Sequence, residues 1–177
     1  MDYEQSLGAA YEQPHRSEVE IPVPVLEEYR FESLAEKIEP ALLEMHRPIV
    51  RPQTATHAKV TVYPGNDRQR ESPINRDTYS FLISSTDDDR PIEVRGRISS
   101  YNINTFKGRV YVDDERRPIP FEIADVARSS RIISQITSSL RLNARSRNSE
   151  EGDILMTVFP RRRRNGKIRS YLVVDVA

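Results

Sequence analysis

Five runs of apolar/polar alternation, split three and two by one helical run, constrain this chain more than any other feature. VRGRISSYN (94–102) places Val94, Gly96, Ile98 and Ser100 on one face and Arg95, Arg97, Ser99 and Tyr101 on the other. KGRVYVD (107–113) sets Gly108, Val110 and Val112 against Lys107, Arg109, Tyr111 and Asp113. PIPFEI (118–123) groups Ile119, Phe121 and Ile123, with Pro118 and Pro120 turned away as an edge strand tolerates. DILMTVF (153–159) and KIRSYLVVDV (167–176) complete the set, and in the last Ile168, Ser170, Leu172, Val174 and Val176 share a face. Period two is the strand repeat because successive Cβ atoms point to opposite sides of a pleated backbone. Between the third and fourth runs, Ile132, Ile133, Ile136 and Leu140 recur at helical spacing, with Asp125 as the expected N-cap. Strands with a single apolar face need cover, and rolling the sheet into a barrel covers all five while removing exposed edges.

Three segments follow from this reading. Residues 1–24 are acidic, hold three prolines and lack sustained periodicity, so they read as a flexible arm. Residues 25–92 read as a small α/β region. Its helix runs from Phe31 to His46 on a stripe of Leu34, Ile38, Leu42 and Met45, with a kink or restart expected at Pro40. Strands are expected over 57–63 and 78–84, joined by a polar loop, and DDDRP (87–91) reads as a turn. Residues 93–177 form the barrel. The expected fold class is α+β, mostly β.

Three strands, a helix and two strands is the order of the OB-fold, a five-stranded barrel that binds oligonucleotides and oligosaccharides. The stretch VRGRISSYNINTFKGRVYVDD resembles the opening hairpin of cold-shock and related OB-type RNA-binding barrels. Lys107 and Gly108 match the start of the second strand, Tyr111 stands at its second aromatic position and Val112 follows. Arg109 replaces the first aromatic, Val110 replaces the second glycine, and the later Phe-x-His element is missing. The resemblance covers roughly 20 residues and implies an OB-like architecture with a nucleic-acid-binding outer face.

Charge points the same way. The chain has equal numbers of acidic and basic residues, yet residues 1–47 hold 4 Lys+Arg against 11 Asp+Glu, and residues 93–177 hold 17 against 10. PRRRRNGKIR (160–169) gathers six cations around Asn165-Gly166, a dipeptide that favours two-residue hairpin turns. Like charges that close repel over the ~8 Å screening length of physiological salt, so the tip is expected to meet a polyanion. The loops of an OB barrel that flank its ligand are those between strands 1–2 and 4–5. Here they carry Phe106 and the run Arg161, Arg162, Arg163, Arg164 and Lys167. The outward face supplies Arg95, Arg97, Tyr101, Lys107, Arg109, Tyr111, Arg169 and Tyr171. Cations hold phosphates and rings stack on bases, so these fourteen residues form the expected single-stranded DNA or RNA surface, of low sequence specificity.

The competing expectation is an adaptor in a multiprotein assembly, whose helix (31–46) docks a protein partner while the basic hairpin meets an acidic surface. A third is that the acidic arm folds over the barrel and competes with nucleic acid. No catalytic motif is found. His15, His46 and His57 are scattered. The acidic triplets 87–89 and 113–115 read as turn chemistry in preference to a Mg²⁺ site. No metal or cofactor is expected. Without cysteine, a secretion-type start or a membrane-length apolar run, the expectation is a cytoplasmic protein without membrane contact.

Overall fold

A computed structural model describes residues 26–52, 54–62, 70–146 and 150–177. The expected arm, 1–24, lies outside them. The described chain opens on helix α1 (Glu28–Met45) and the one-turn helix α2 (Arg47–Val50). A two-stranded antiparallel ribbon follows, β1 (Ala58–Val62) with β2 (Arg70–Ile74). Helix α3 (Arg76–Ile83) and strand β3 (Ser85–Asp87) lead into the barrel. Its strands are β4 (Ile92–Asn102), β5 (Lys107–Val112), β6 (Arg117–Ile123), β7 (Asp153–Arg163) and β8 (Ile168–Val176). Helix α4 (Ser130–Arg145) stands between β6 and β7.

Pairing runs β7–β4–β5–β6–β8, and β8 pairs again with β7, so the sheet closes. Every barrel pair is antiparallel except β6–β8. The expected five-stranded barrel, with its helix between the third and fourth strands, is present behind a smaller helix-and-ribbon region. Val94, Ile98, Val110, Val112, Ile119, Phe121, Ile123, Met156, Val158 and Val173 fill one buried cluster with Ile132 and Ile136 of α4. Burying each such side chain contributes about 1.5–3 kcal/mol. Among the described residues no helix is long and apolar enough to cross a membrane.

Three bulges correct the alternation read from sequence. In β4 the register steps from Ile98↔Val110 to Ser100↔Arg109, leaving Ser99 unpaired. An extra residue inverts every later side chain. Tyr101 therefore turns inward and stacks on Phe121, with centroids 6.3 Å apart and planes 8° apart. In β8, Arg169 and Val174 are the extra residues, between Ile168 and Ser170 and between Val173 and Asp175. The inward set becomes Ile168, Tyr171, Val173 and Val176, in place of the expected even-numbered run. Tyr171, expected outside, is 2% exposed.

Where β4 outruns β7, α4 completes the ladder. The last β4–β7 pair is Arg97↔Asp153. Beyond it Ser139 Oγ accepts from Ile98 N at 3.0 Å and donates to Gly152 O at 2.5 Å. Asn143 Nδ2 donates to Ile98 O at 3.0 Å. A hydroxyl thus stands in for the strand-to-strand bond that a straight continuation would have made.

Other expectations change locally. Residues 78–83 are helix, not strand, because Asn75 and Thr78 form a reciprocal capping box at 2.9 Å each way and start α3. The second ribbon strand is instead β2. Helix α1 begins three residues before Phe31 and runs through Pro40 without interruption, and the restart comes at Arg47, with Pro48 in the first turn of α2. Asp125 opens only a 3-10 turn (Asp125–Ala127), and the N-cap of α4 is Ser129, whose side chain accepts from Ile132 N. The hairpin tip has three residues. Arg163 N donates to Lys167 O, Gly166 N donates to Arg163 O, and only Gly166 takes a positive φ (81°), so Asn165 is not in the two-residue turn.

Candidate functional site

The cations gathered by the sequence have a counter-charge within the chain. On α1, Glu28, Glu32, Glu36 and Glu39 recur at i, i+4, i+8 and i+11, one face of a 3.6-residue helix. That face lies on the basic wall of the barrel. Glu28 pairs with Lys167. Glu36 meets Arg109 of β5 at 2.5 Å and Arg117 of β6 at 3.6 Å. Glu39 bridges Arg163 of β7 at 2.6 Å and Arg169 of β8 at 2.5 Å, and Glu32 stands 3.9 Å from Arg163. Arg116, beside this row, lies 4.6 Å over the Tyr29 ring.

Burial separates the pairs that matter. The Lys167–Glu28 pair is largely exposed, so water and salt screen it. The side chains of Arg117, Arg163 and Glu39 are 4%, 17% and 14% exposed, so a missing partner there would leave a buried charge. Even so, Arg117 Nε and Arg163 Nε are buried with no hydrogen-bond acceptor. The hydrogen bond to Lys167 holds the Glu28 carboxyl below its usual range, and the same bond raises the Lys167 ammonium.

The hairpin arginines are answered from the other side. Strand β3 pairs with the end of β7, extending that strand past its expected limit at 159. Asp87 accepts from Arg161 at 2.6 and 3.1 Å, and Asp88 accepts from Arg162 at 2.9 and 3.1 Å. The bond from Arg161 lowers the Asp87 carboxyl. Of the 87–91 stretch only Asp87 lies in a strand, residues 89–90 bend as expected, and Asp87 and Asp88 are ion-pair partners.

The remaining expected residues sort plainly. Arg95 pairs with Asp153 and Glu150, Arg97 with Asp113 and Asp153, and Lys107 with Glu122. Arg164 is exposed and has no ion pair among the described residues. Of the rings, Tyr101 and Phe106 pack against the core, Tyr171 is inside it, and Tyr111 lies under the Arg97 guanidinium at 5.0 Å. Phe106 is covered by Arg128 at 4.4 Å. Burial raises the Tyr101 hydroxyl pKa, and that oxygen has no partner. The outward row of alternating cations and rings is thus an almost purely cationic wall.

Sequence reasoning missed the carboxylates of α1, Arg117 and the Asp87–Asp88 pair. The signal for the first was present: four glutamates at helical spacing beside the apolar stripe. Of that stripe Leu34, Ile38 and Met45 face solvent at 49%, 44% and 44% exposure, joined by Phe31 at 59%, while Leu42 is half-buried. A cleft of about 530 Å³ between the start of α1 and the β5–β6 turn is lined by Glu28, Tyr29, Glu32, Glu115, Arg116 and Lys167 among others.

Residues 90–177 match a family of unknown function (DUF7947). The DUF7947 match spans β4 to the end of β8, so α1 and its carboxylates lie outside it. No curated protein matches the chain. No solved structure matches it either.

Proposed function

We propose that this chain is a non-catalytic interaction module, an adaptor or subunit that presents α1 to a protein partner. The observation that carries this reading is the inverted helix. Its acidic face is spent on the barrel, while Phe31, Leu34, Ile38 and Met45 are turned outward. A monomeric helix gains stability by burying its apolar stripe, and exposing it forgoes that contribution. Arg30 and Lys37 edge the stripe two turns apart. The fitting partner is an amphipathic helix laid along α1, its apolar side on the stripe and a carboxylate edge beside Arg30 and Lys37. Direct stacking of nucleic-acid bases on the barrel wall has less support. Three of its four expected rings are packed into or against the core, and nine of its ten expected cations have carboxylate partners.

The test is a photoreactive residue at position 41, beside the stripe, in cells that express the chain natively. The expected result is one discrete cross-linked protein, lost in a Leu34→Glu/Ile38→Glu background whose circular dichroism and melting temperature are unchanged. No discrete adduct, or one indifferent to the double substitution, refutes the reading.

A further inference from the structure

The face under α1 carries a second consequence, independent of what the apolar stripe binds. Arg109, Arg117, Arg163, Lys167 and Arg169 come from four strands and one hairpin, and each is paired with a carboxylate of the single helix α1. Seen from the barrel, α1 is a rod of single negative charges, with four residues of helical rise (about 6 Å) between most neighbours. It touches the wall through charge. The apolar residues that could have sealed the contact, Phe31, Leu34, Ile38 and Met45, look away. The Nε–H groups of Arg117 and Arg163 are buried without a hydrogen-bond acceptor, so the contact with α1 leaves them unsatisfied. Arg164, on the same hairpin tip, is exposed and has no ion pair among the described residues.

We infer that the wall of Arg109, Arg163, Lys167 and Arg169 is a binding site for a linear phosphate chain, which competes with the glutamate stripe of α1 for the same cations. A phosphate chain holds two advantages over the helix. Each of its units presents several acceptor oxygens to a guanidinium fork. Binding also releases its condensed counterions, a contribution that four glutamates on a helix scarcely share. The helix holds an advantage of its own, because it is tethered and present at high effective concentration. Its Lys167–Glu28 pair is exposed and yields to salt, whereas the more buried pairs of Glu39 with Arg163 and Arg169 have to be displaced by the competitor itself. Single-stranded nucleic acid and inorganic polyphosphate share this chemistry, and the wall has few free rings to tell one from the other.

The experiment uses the full chain. Fluorescence anisotropy follows labelled oligo-dT and oligo-rU, with inorganic polyphosphate as competitor, at low and physiological salt. The variant E28Q/E32Q/E36Q/E39Q keeps the length of each side chain and removes the competing charge. Binding by this variant is expected to tighten by about tenfold or more over the wild type, the effect of removing roughly 1.4 kcal/mol of competition. Adding R163Q/R169Q is expected to abolish the gain. Because the chain has no cysteine, Ala41→Cys and Asn165→Cys place a dye pair on α1 and the hairpin tip without background labelling. Energy transfer between them should fall as polyphosphate or oligonucleotide is added to an otherwise native sequence, a readout that survives if the quadruple variant fails to fold. Displacement by oligonucleotide but not polyphosphate assigns the nucleic-acid source, and the reverse assigns free polyphosphate. Equal affinity of wild type and quadruple variant, a gain that persists in R163Q/R169Q, or binding with unchanged energy transfer would each overturn the inference.

Discussion

Replacing Ser139 by alanine tests how the barrel is closed. Ser139 is 1% exposed, and its hydroxyl joins Ile98 N, at 3.0 Å, to Gly152 O, at 2.5 Å. Alanine leaves the buried amide without an acceptor and the carbonyl without a donor. Each orphaned group costs about 1–3 kcal/mol. The Asn143 bond to Ile98 O survives and holds the strand in place, so the groups cannot readily turn to solvent. The expected loss is about 3 kcal/mol, near the upper end of single substitutions. For a chain of this size that lowers the melting temperature by about 6–12 °C. Urea titration followed by circular dichroism and tyrosine fluorescence measures it, since the chain has eight tyrosines and no tryptophan. Ser134→Ala, an exposed position on the same helix, is the control for helix propensity and should stay within about 0.5 kcal/mol. A Ser139→Ala loss no larger than the control, at unchanged denaturant slope, would show that the hydroxyl bridge does not hold α4 to the strand.

Three further outcomes are expected. Gly108→Ala should destabilise the barrel by about 1–3 kcal/mol, because a Cβ there would sit 2.4 Å from Ser100 O and 2.6 Å from Phe121 Cζ, whereas Gly166→Ala has open space and only its positive φ to strain; equal melting temperatures for the two would contradict the close approach. Burial pushes the Tyr171 phenol up to about 12, so its contribution is fully present below the unfolded value near 10 and is lost as pH rises from there to about 12. Tyrosinate absorbance during an alkaline titration should show unfolding in that window, and Tyr171→Phe should move it upward. Hydrogen bonds from Lys167 and Arg161 depress the Glu28 and Asp87 carboxyls, so what they contribute is present above the ordinary carboxylate range and disappears as pH falls through their depressed values. Carboxyl carbon shifts in an NMR titration should place both midpoints below those of unpaired glutamate and aspartate.

Much of the barrel was legible in the amino-acid order, because burying one face of each strand imposes a period that no other structure shares. The limits of β4, β5 and β6 were close to expectation for that reason. What defeated the reading was local. Parity alone puts Tyr101 and Tyr171 outside, and a bulge before each reverses it. A bulge is a register event between two strands, and neither strand carries it alone. Residues 78–84 alternate well enough for a strand, but the Asn75–Thr78 box nucleates a helix first. The glutamates of α1 were visible, yet nothing in their spacing says which of two stripes on one helix meets the barrel.

That choice marks the division. Composition and periodicity alone determined that the C-terminal half closes a sheet around aliphatic side chains, and that its surface gathers positive charge. Only the tertiary structure decided that Arg109, Arg163, Lys167 and Arg169 face Glu28, Glu36 and Glu39, and that Phe31, Leu34 and Ile38 are left to solvent. Apolar burial is non-directional and can be read from pattern, whereas an ion pair exists only when two distant side chains are brought within a few ångströms.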